Sequence, residues 1–480
     1  MKKISIIISV FIILSSCTKL EDLNKNTKDP SSVTGESLFT GAQKNLFDQM
    51  VSANVNMNIF RMFAQYWTET TYIDEANYDL MTRTIPDNHW DVLYRDVLKD
   101  LKESAKVIGE TDYPTDASPA VKQNRLAIVE VLSVYSWSVL VETFGDIPYD
   151  QALDIDNFHP VYDDGLYIYK ALIARLNVAI ANMDDTYGSF DVGDNMYQGN
   201  VTGWIKFANS LKLRMGMLLS DVDNGYAQTV VEEAVAASLI ASNTEKAQII
   251  YLGASPNSNP VYDDLVASGR NDFVAANTIV DFMDSLADPR MPFYFTYAPG
   301  TTTYIGGLYG ESNDFASYSH VADNILLATA PGIIFDYTEV EFLLAEACEK
   351  GYNVGGTAES HYNAAITASI TDWGGTTTDA TTYLAQADVA YTTAGGTYLQ
   401  KIGVQKWIAM YNRGFEAWQS WRKFDYPVLI APPEAVSDVP VRFTYPISEQ
   451  TLNGTNWTAA SSHLGPLGDD VAQKLFWDLN

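Results

Sequence analysis

The side chains with chemical potential in this sequence are aromatic and polar rather than nucleophilic. Two stretches without helical periodicity concentrate both kinds. One runs from Trp67 and Tyr72 through Asn77, Tyr78 and Arg83 to Asn88. The other holds Tyr294, Tyr304, Tyr309, Asn313 and Tyr318. Sugars present apolar C–H faces and rings of hydroxyls, so a site for them needs flat aromatic platforms beside amide, carboxylate or guanidinium groups. On that reasoning Trp67, Tyr72, Asn77, Tyr78, Arg83, Tyr294, Tyr304, Tyr309 and Tyr318 are the candidate ligand-binding residues. The competing reading is that some of these rings only pin their loops to the scaffold.

Other chemistries lack a motif. There is no phosphate loop, no nucleophile elbow and no His-Glu-x-x-His helix. His89, His159, His320, His361 and His463 are scattered, and each reads as a surface or internally satisfied residue. With 60 acidic side chains, some pair will always suggest a glycosidase dyad, so spacing alone does not argue for one. Asp221-Val222-Asp223-Asn224-Gly225, with Glu232 beyond, has the outline of a calcium loop. Its glycine falls one place early and a helix precedes it, which favours a helix-terminating turn. The expectation is therefore no catalytic residue, no cofactor and no metal ligand.

At 480 residues, with 47% apolar and 12% aromatic side chains, the chain can bury a large core. Its formal charge of −30 repels phosphate backbones and anionic lipid surfaces, which excludes nucleic acid as a partner. Met1-Lys2-Lys3 followed by the apolar run Ile4 to Leu14 reads as a signal peptide over residues 1–16. It ends in Leu14-Ser15-Ser16-Cys17, the pattern of a bacterial lipobox, so Cys17 is the expected lipidation site and 17–34 a polar tether. Several acyl chains on one residue anchor firmly. No other run reads as a membrane span, which leaves the lipid as the only membrane contact. Cys348, the other cysteine, reads as a small core residue.

The elements that must position the loops are helices. Asp336 and Glu339 form an expected capping box, and Val340, Leu343, Leu344 and Ala347 recur on one face. Lys350-Gly351 supplies a C-terminal cation and a C′ glycine. Thr357 is the expected cap of a partner helix whose stripe is Ala358, Tyr362, Ala365, Ile366 and Ser369. Such a hairpin is the unit of a tetratricopeptide-type solenoid, and it needs neighbours to bury its face. Further helical patterns run from Glu36 to Thr70 with a break near Asn54–Asn58, Trp90 to Ile108, Ala120 to Val141, Asp163 to Asp184, Thr202 to Ser220, Val230 to Ile240, Ala275 to Leu286 and Lys401 to Lys423. Residues 249–331 form a loop-rich insertion, and 374–398 and the last fifty residues read as irregular. The fold class is all-α, about four helical pairs with a loop-rich region packed on them, in one domain spanning 35–480.

In this order the motifs resemble the SusD/RagB family of outer-membrane nutrient-binding lipoproteins. They are the lipobox at Cys17, Trp90-x-x-x-Tyr94, Phe144-Gly145-Asp146-Ile147-Pro148-Tyr149 with Ala152, Asp288-Pro289-Arg290, Leu344-Ala345-Glu346-Ala347, Tyr362-Asn363, Gln405-Lys406-Trp407, Glu416-Ala417-Trp418, Trp421-Arg422 and Arg442-Phe443-x-Tyr445-Pro446-x-Ser448-Glu449 with Asn453. The pattern is closer to the second SusD-like branch than to the starch-binding prototype. The resemblance implies four tetratricopeptide-like pairs, a surface-exposed lipoprotein in the outer membrane of a member of the Bacteroidota, and no catalysis. It also implies that the protein caps a SusC-like TonB-dependent transporter and hands it an oligosaccharide ligand or, in some members, peptide. It carries over no ligand residue. The alternatives are a peptide- or amino-acid-binding member of the same assembly, a tethered glycoside hydrolase, and a scaffold that binds protein only.

Overall fold

The computed structural model describes residues 33–480. The signal peptide, the lipidation site at Cys17 and all of the tether but Val33 and Thr34 lie outside the described residues. Helices α1 (Gly35–Val51) and α2 (residues 85–110, with a π-helical middle turn) pack together as the first pair. The next are α3 (Pro119–Phe144) with α4 (Gly165–Asn182), α5 (Val201–Leu218) with α6 (Asn224–Ala236), and α7 (Tyr337–Glu349) with α8 (Ala358–Asp372). A further packed pair, α9 (Tyr398–Ala409) and α10 (Gly414–Phe424), closes the scaffold.

Local chemistry sets the helix boundaries. Asp164 Oδ1 accepts the Tyr167 N–H at 2.7 Å and caps α4. Asp223 caps α6 by accepting from Tyr226 N, which starts that helix at Asn224 rather than at Val230. It also settles the 221–225 turn as a helix boundary. Asp336 Oδ1 accepts from Glu339 N at 2.8 Å, but the capping box there is half made. The Glu339 carboxylate turns inward to two arginines instead of back to the cap. The reciprocal box forms on α8, between Thr357 and Ser360. Gly351 takes the C′ role of α7 at φ 78°.

Four expectations are corrected. The pattern from Lys401 to Lys423 is two helices, because Asn412 adopts φ 68° and its side-chain oxygen accepts from Arg61 Nε at 3.0 Å. Gly414 then lies so close to Arg61 that a Cβ would come within 2.7 Å of its backbone nitrogen. Residues 374–398 contain the helix Thr377–Leu384, capped by a Thr376–Asp379 box, and the last fifty contain Ile447–Leu452 and Gly454–Leu464. Cys348 is half-buried at the rim of α7 rather than in the core. Finally, α3 is by itself long and apolar enough to cross a membrane, yet 83% of its most apolar window is buried. It is the central core helix, packed against α2, α4 and α5.

Three antiparallel two-stranded ribbons tie loops to helices. They are β1 (Trp67–Glu69) with β5 (Phe273–Ala275), β2 (Ile147–Pro148) with β3 (Tyr162–Asp163), and β4 (Ala247–Ile250) with β6 (Pro331–Phe335). The first ribbon matters for the site, because it brings the 70–84 loop and the 249–331 insertion together. The insertion is locked down through Arg290, which is fully buried, pairs with Asp288 at 2.5 Å and donates to Ser369 on α8 and Gln405 on α9.

Candidate functional site

The nine candidate side chains divide by burial. Trp67 has no exposed surface; its indole N–H donates to Tyr411 Oη at 2.8 Å, and Arg61 lies 4.8 Å over the ring. Tyr78 accepts from Gln65 at 3.0 Å, and Tyr309 donates to the Met62 carbonyl at 2.7 Å. Tyr294 stacks on Tyr411 at 4.2 Å and donates to the Ile408 carbonyl. Asn77 is buried too and donates to Ile73 O and Gly310 O. These five are anchors rather than platforms. Their burial joins that of Leu80, Phe273, Phe295 and Val321 in fixing the loops to the scaffold.

The remaining four stay accessible. Tyr72 is 69% exposed. Arg83 is partly exposed and ion-paired to the buried Glu75. Tyr304 and Tyr318 are half-buried, and Tyr304 packs at 4.6 Å on Tyr297, a half-exposed ring that the sequence reading passed over. Tyr297 adjoins the Phe293-Tyr294-Phe295 run, and that position was the signal that could have found it.

Tyr72 and Arg83 open onto a cavity of about 230 Å³ lined also by Asn54, Glu69, Glu75, Arg270 and Phe273. Its walls come from the 52–56 loop, the end of β1, the 70–84 loop and the segment leading into β5. A second cavity of about 340 Å³, lined by Asp48, Ser52, Asp96 and Asp263, shares Asn54 and Asp264 with the first. Together they form a groove. A larger concavity, about 630 Å³, lies elsewhere, on the outer faces of α3 and α4, and has no aromatic ring in its lining. The sequence candidates missed Asn54, Glu69, Glu75, Asp264, Phe273 and the groove's second guanidinium, Arg270. A lone cation in a Ser-Gly-Arg-Asn-Asp loop of so acidic a chain was its signal.

The backbone around the groove is held in costly conformations. Nine described non-glycine residues have positive φ, and four of them, Gln65, Tyr72, Tyr78 and Thr84, fall within twenty positions here. Each costs of order 1–3 kcal/mol and persists where surrounding contacts over-determine it. At Tyr72 the result is a tyrosine ring held outward.

Electrostatics follow burial. Glu69 is pushed up to about 10, by burial first and then by Glu75 alongside, so it is protonated at neutral pH. Its carboxyl accepts from Ala76 N at 3.0 Å. A protonated Glu69 supplies the proton that Glu75 Oε2 otherwise lacks among the described residues. Asp264 is raised to about 6, again chiefly by burial. The groove thus offers carboxylate acceptors, two guanidinium donors, asparagine amides and one exposed ring. That set can satisfy hydroxyls of either polarity.

Among the described residues one cluster, Asp146, Asp164 and His463, has the spacing of metal ligands. Its atoms are already engaged. Asp146 receives Gly165 N at 2.8 Å and sits 2.5 Å from His463 Nδ1, and Asp164 caps α4. It closes the Phe144–Tyr149 turn onto the C-terminal helix.

A family model for SusD-like proteins, described as starch-binding and associating with the outer membrane, matches residues 27–446. No curated protein matches the chain. Similar solved structures include a chitin-binding protein at 23% identity, covering 93% of this chain and 100% of that one, with a TM-score of 0.81. A chitin-binding SusD homolog from Flavobacterium johnsoniae is 23% identical over 92% of this chain and 99% of its own, with a TM-score of 0.76. A SusD homolog from Bacteroides uniformis is 27% identical with the same coverages and a TM-score of 0.76. Because the family match spans most of the sequence, the protein belongs to this SusD-like, outer-membrane-associated family.

Proposed function

We propose that the protein is a cell-surface lipoprotein, anchored at Cys17, that captures oligosaccharide in the Tyr72 groove and delivers it to a SusC-like TonB-dependent transporter without chemical change. The observation that carries this reading is the outward Tyr72 ring beside carboxylate, guanidinium and amide groups, at a cavity that adjoins a second one through Asn54 and Asp264. Starch-type and chitin-type oligosaccharides are the first ligands to try, given the family description and the chitin-binding neighbours. The non-catalytic part is supported by the family match, whose description is of binding and not of a reaction.

A second reading has its own support. The groove carries charges of both signs, with Arg83 and Arg270 against Asp264 and Asp272, as a peptide site would. Titration of the chain from Thr18 onward with malto-oligosaccharides, chito-oligosaccharides and a peptide panel separates the two. Binding of one glycan class without product release, weakened by Tyr72→Ala, supports the glycan reading. Saturable peptide binding with no glycan binding replaces it, and release of shorter sugars overturns the non-catalytic role.

A further inference from the structure

A further cavity of about 190 Å³ is lined by none of the groove residues and lies where α1, β6, the end of α8 and the α9–α10 break converge. Two ion pairs line it. Lys246 Nζ is 2.6 Å from Asp372 Oδ1, and Arg413 Nη1 is 3.1 Å from Asp336 Oδ2. The Arg413 side chain is only 7% exposed. Its Nη2 donates to Glu339 and to the Ile334 carbonyl, while Nε and Nη1 make no properly directed hydrogen bond among the described residues. Trp373 and Tyr411 add aromatic surface, their centroids 6.1 Å apart at 55°.

We infer that this cavity binds one neutral, polyhydroxylated ring of monosaccharide size. The charges select the class. Each cation already faces a carboxylate, so the lining is balanced, and a charged ligand would have to displace a partner at a net cost. A hydroxyl displaces neither, because it accepts from the guanidinium or ammonium group and donates to the carboxylate at once. The idle Arg413 N–H groups call for such acceptors. Trp373, which is only partly buried, suits the C–H face of a ring. The volume is well under the roughly 300–1,000 Å³ of sites for larger ligands, so it admits one ring and not a chain. The inference stands independently of the Tyr72 groove.

Calorimetry on the chain from Thr18 onward tests it, with glucose, galactose and N-acetylglucosamine as neutral probes and glucuronate and glucosamine as charged ones. Titration to ~10 mM saturates affinities near 1 mM. The background is Tyr72→Ala, which weakens binding in the groove. Two variants address the cavity. Trp373→Ala removes its aromatic wall, and Asn324→Trp plugs its mouth from an exposed lining position, leaving the core packing untouched. The expected result is one-to-one binding of a neutral sugar in the Tyr72→Ala background, weakened at least tenfold by Asn324→Trp and by Trp373→Ala. Absence of any neutral-sugar binding overturns the inference. So does tighter binding of the charged probes, or binding unchanged by Asn324→Trp.

Discussion

Arg214 and Glu339 form a two-point ion pair in the middle of the scaffold, Nε to Oε1 at 2.7 Å and Nη2 to Oε2 at 2.8 Å, with almost no surface on either side chain. Arg413 closes on the same carboxylate, so Glu339 joins α5, α7 and the start of α10. Burial alone would raise the carboxyl. Arg214 and Arg413 outweigh it and hold Glu339 down at about 2. Because the folded value lies below the ordinary 4.5, the stabilisation is present above that pH and is lost as pH falls toward 2. Glu339→Ala strands two buried cations and is expected to cost about 3–5 kcal/mol in urea unfolding at neutral pH, with the deficit shrinking in acid.

Trp67 and Tyr72 stand five positions apart in the same polar stretch, yet one is a core residue and the other a platform. Trp67→Ala is expected to destabilise by about 3–5 kcal/mol, so loss of binding in that variant would not locate a site. Tyr72→Ala leaves the melting temperature near that of the parent or above it, because alanine loses no buried contact there. Its effect is on ligand affinity, about tenfold weaker for a bound glycan. Thermal melts and titrations on both variants check the division, which fails if Tyr72→Ala melts earlier than Trp67→Ala.

That contrast marks where the sequence stops being informative. Helix pairs were legible because capping side chains and one-face apolar spacing are local, as at Asp336 and Thr357. The α9–α10 break was hidden because Trp407, Tyr411, Phe415 and Trp418 keep helical spacing straight across it, and all four are buried. Only Asn412-Arg413-Gly414 betrays the turn. In the loops, an anchoring ring and a ligand platform have the same polar neighbours in sequence. Long-range contacts decide between them, such as Trp67 to Tyr411 and Tyr309 to Met62. The groove itself draws on the 52–56, 69–83 and 264–273 segments, which nothing local connects.

His89 is wholly buried, with Nδ1 2.8 Å from Gln49 Nε2, and burial lowers it to about 3. The unfolded chain takes up a proton at about 6.5 and the folded one does not. Stability from this site is therefore complete above 6.5 and is lost as pH falls from 6.5 toward 3. Other buried groups titrate in the opposite sense, including Glu142 at about 7, so the comparison must be between variant and parent. His89→Gln is expected to be destabilised at about pH 7 but to show a shallower loss between about pH 6 and pH 4. Parallel slopes in urea midpoints would contradict it.

Gly145 and Gly109 make opposite demands. Gly145 ends α3 at φ 88°, and a Cβ there would come within 2.8 Å of both Leu464 and Leu475. Alanine at this position meets a backbone conformation unsuited to L-residues and two packed side chains that tie the C-terminal segment to the Phe144–Tyr149 turn. Gly145→Ala is expected to cost about 2 kcal/mol or more and to loosen the Asp146–His463 contact, visible as a changed His463 titration in NMR. Gly109 lies near the end of α2, exposed, with nothing within 4 Å of an added Cβ. Gly109→Ala removes unfolded-chain freedom and adds helix propensity, so it should stabilise by about 0.5–1 kcal/mol. Both measured by urea unfolding, the pair tests whether close approach, and not glycine as such, fixes the turn at the end of the central helix.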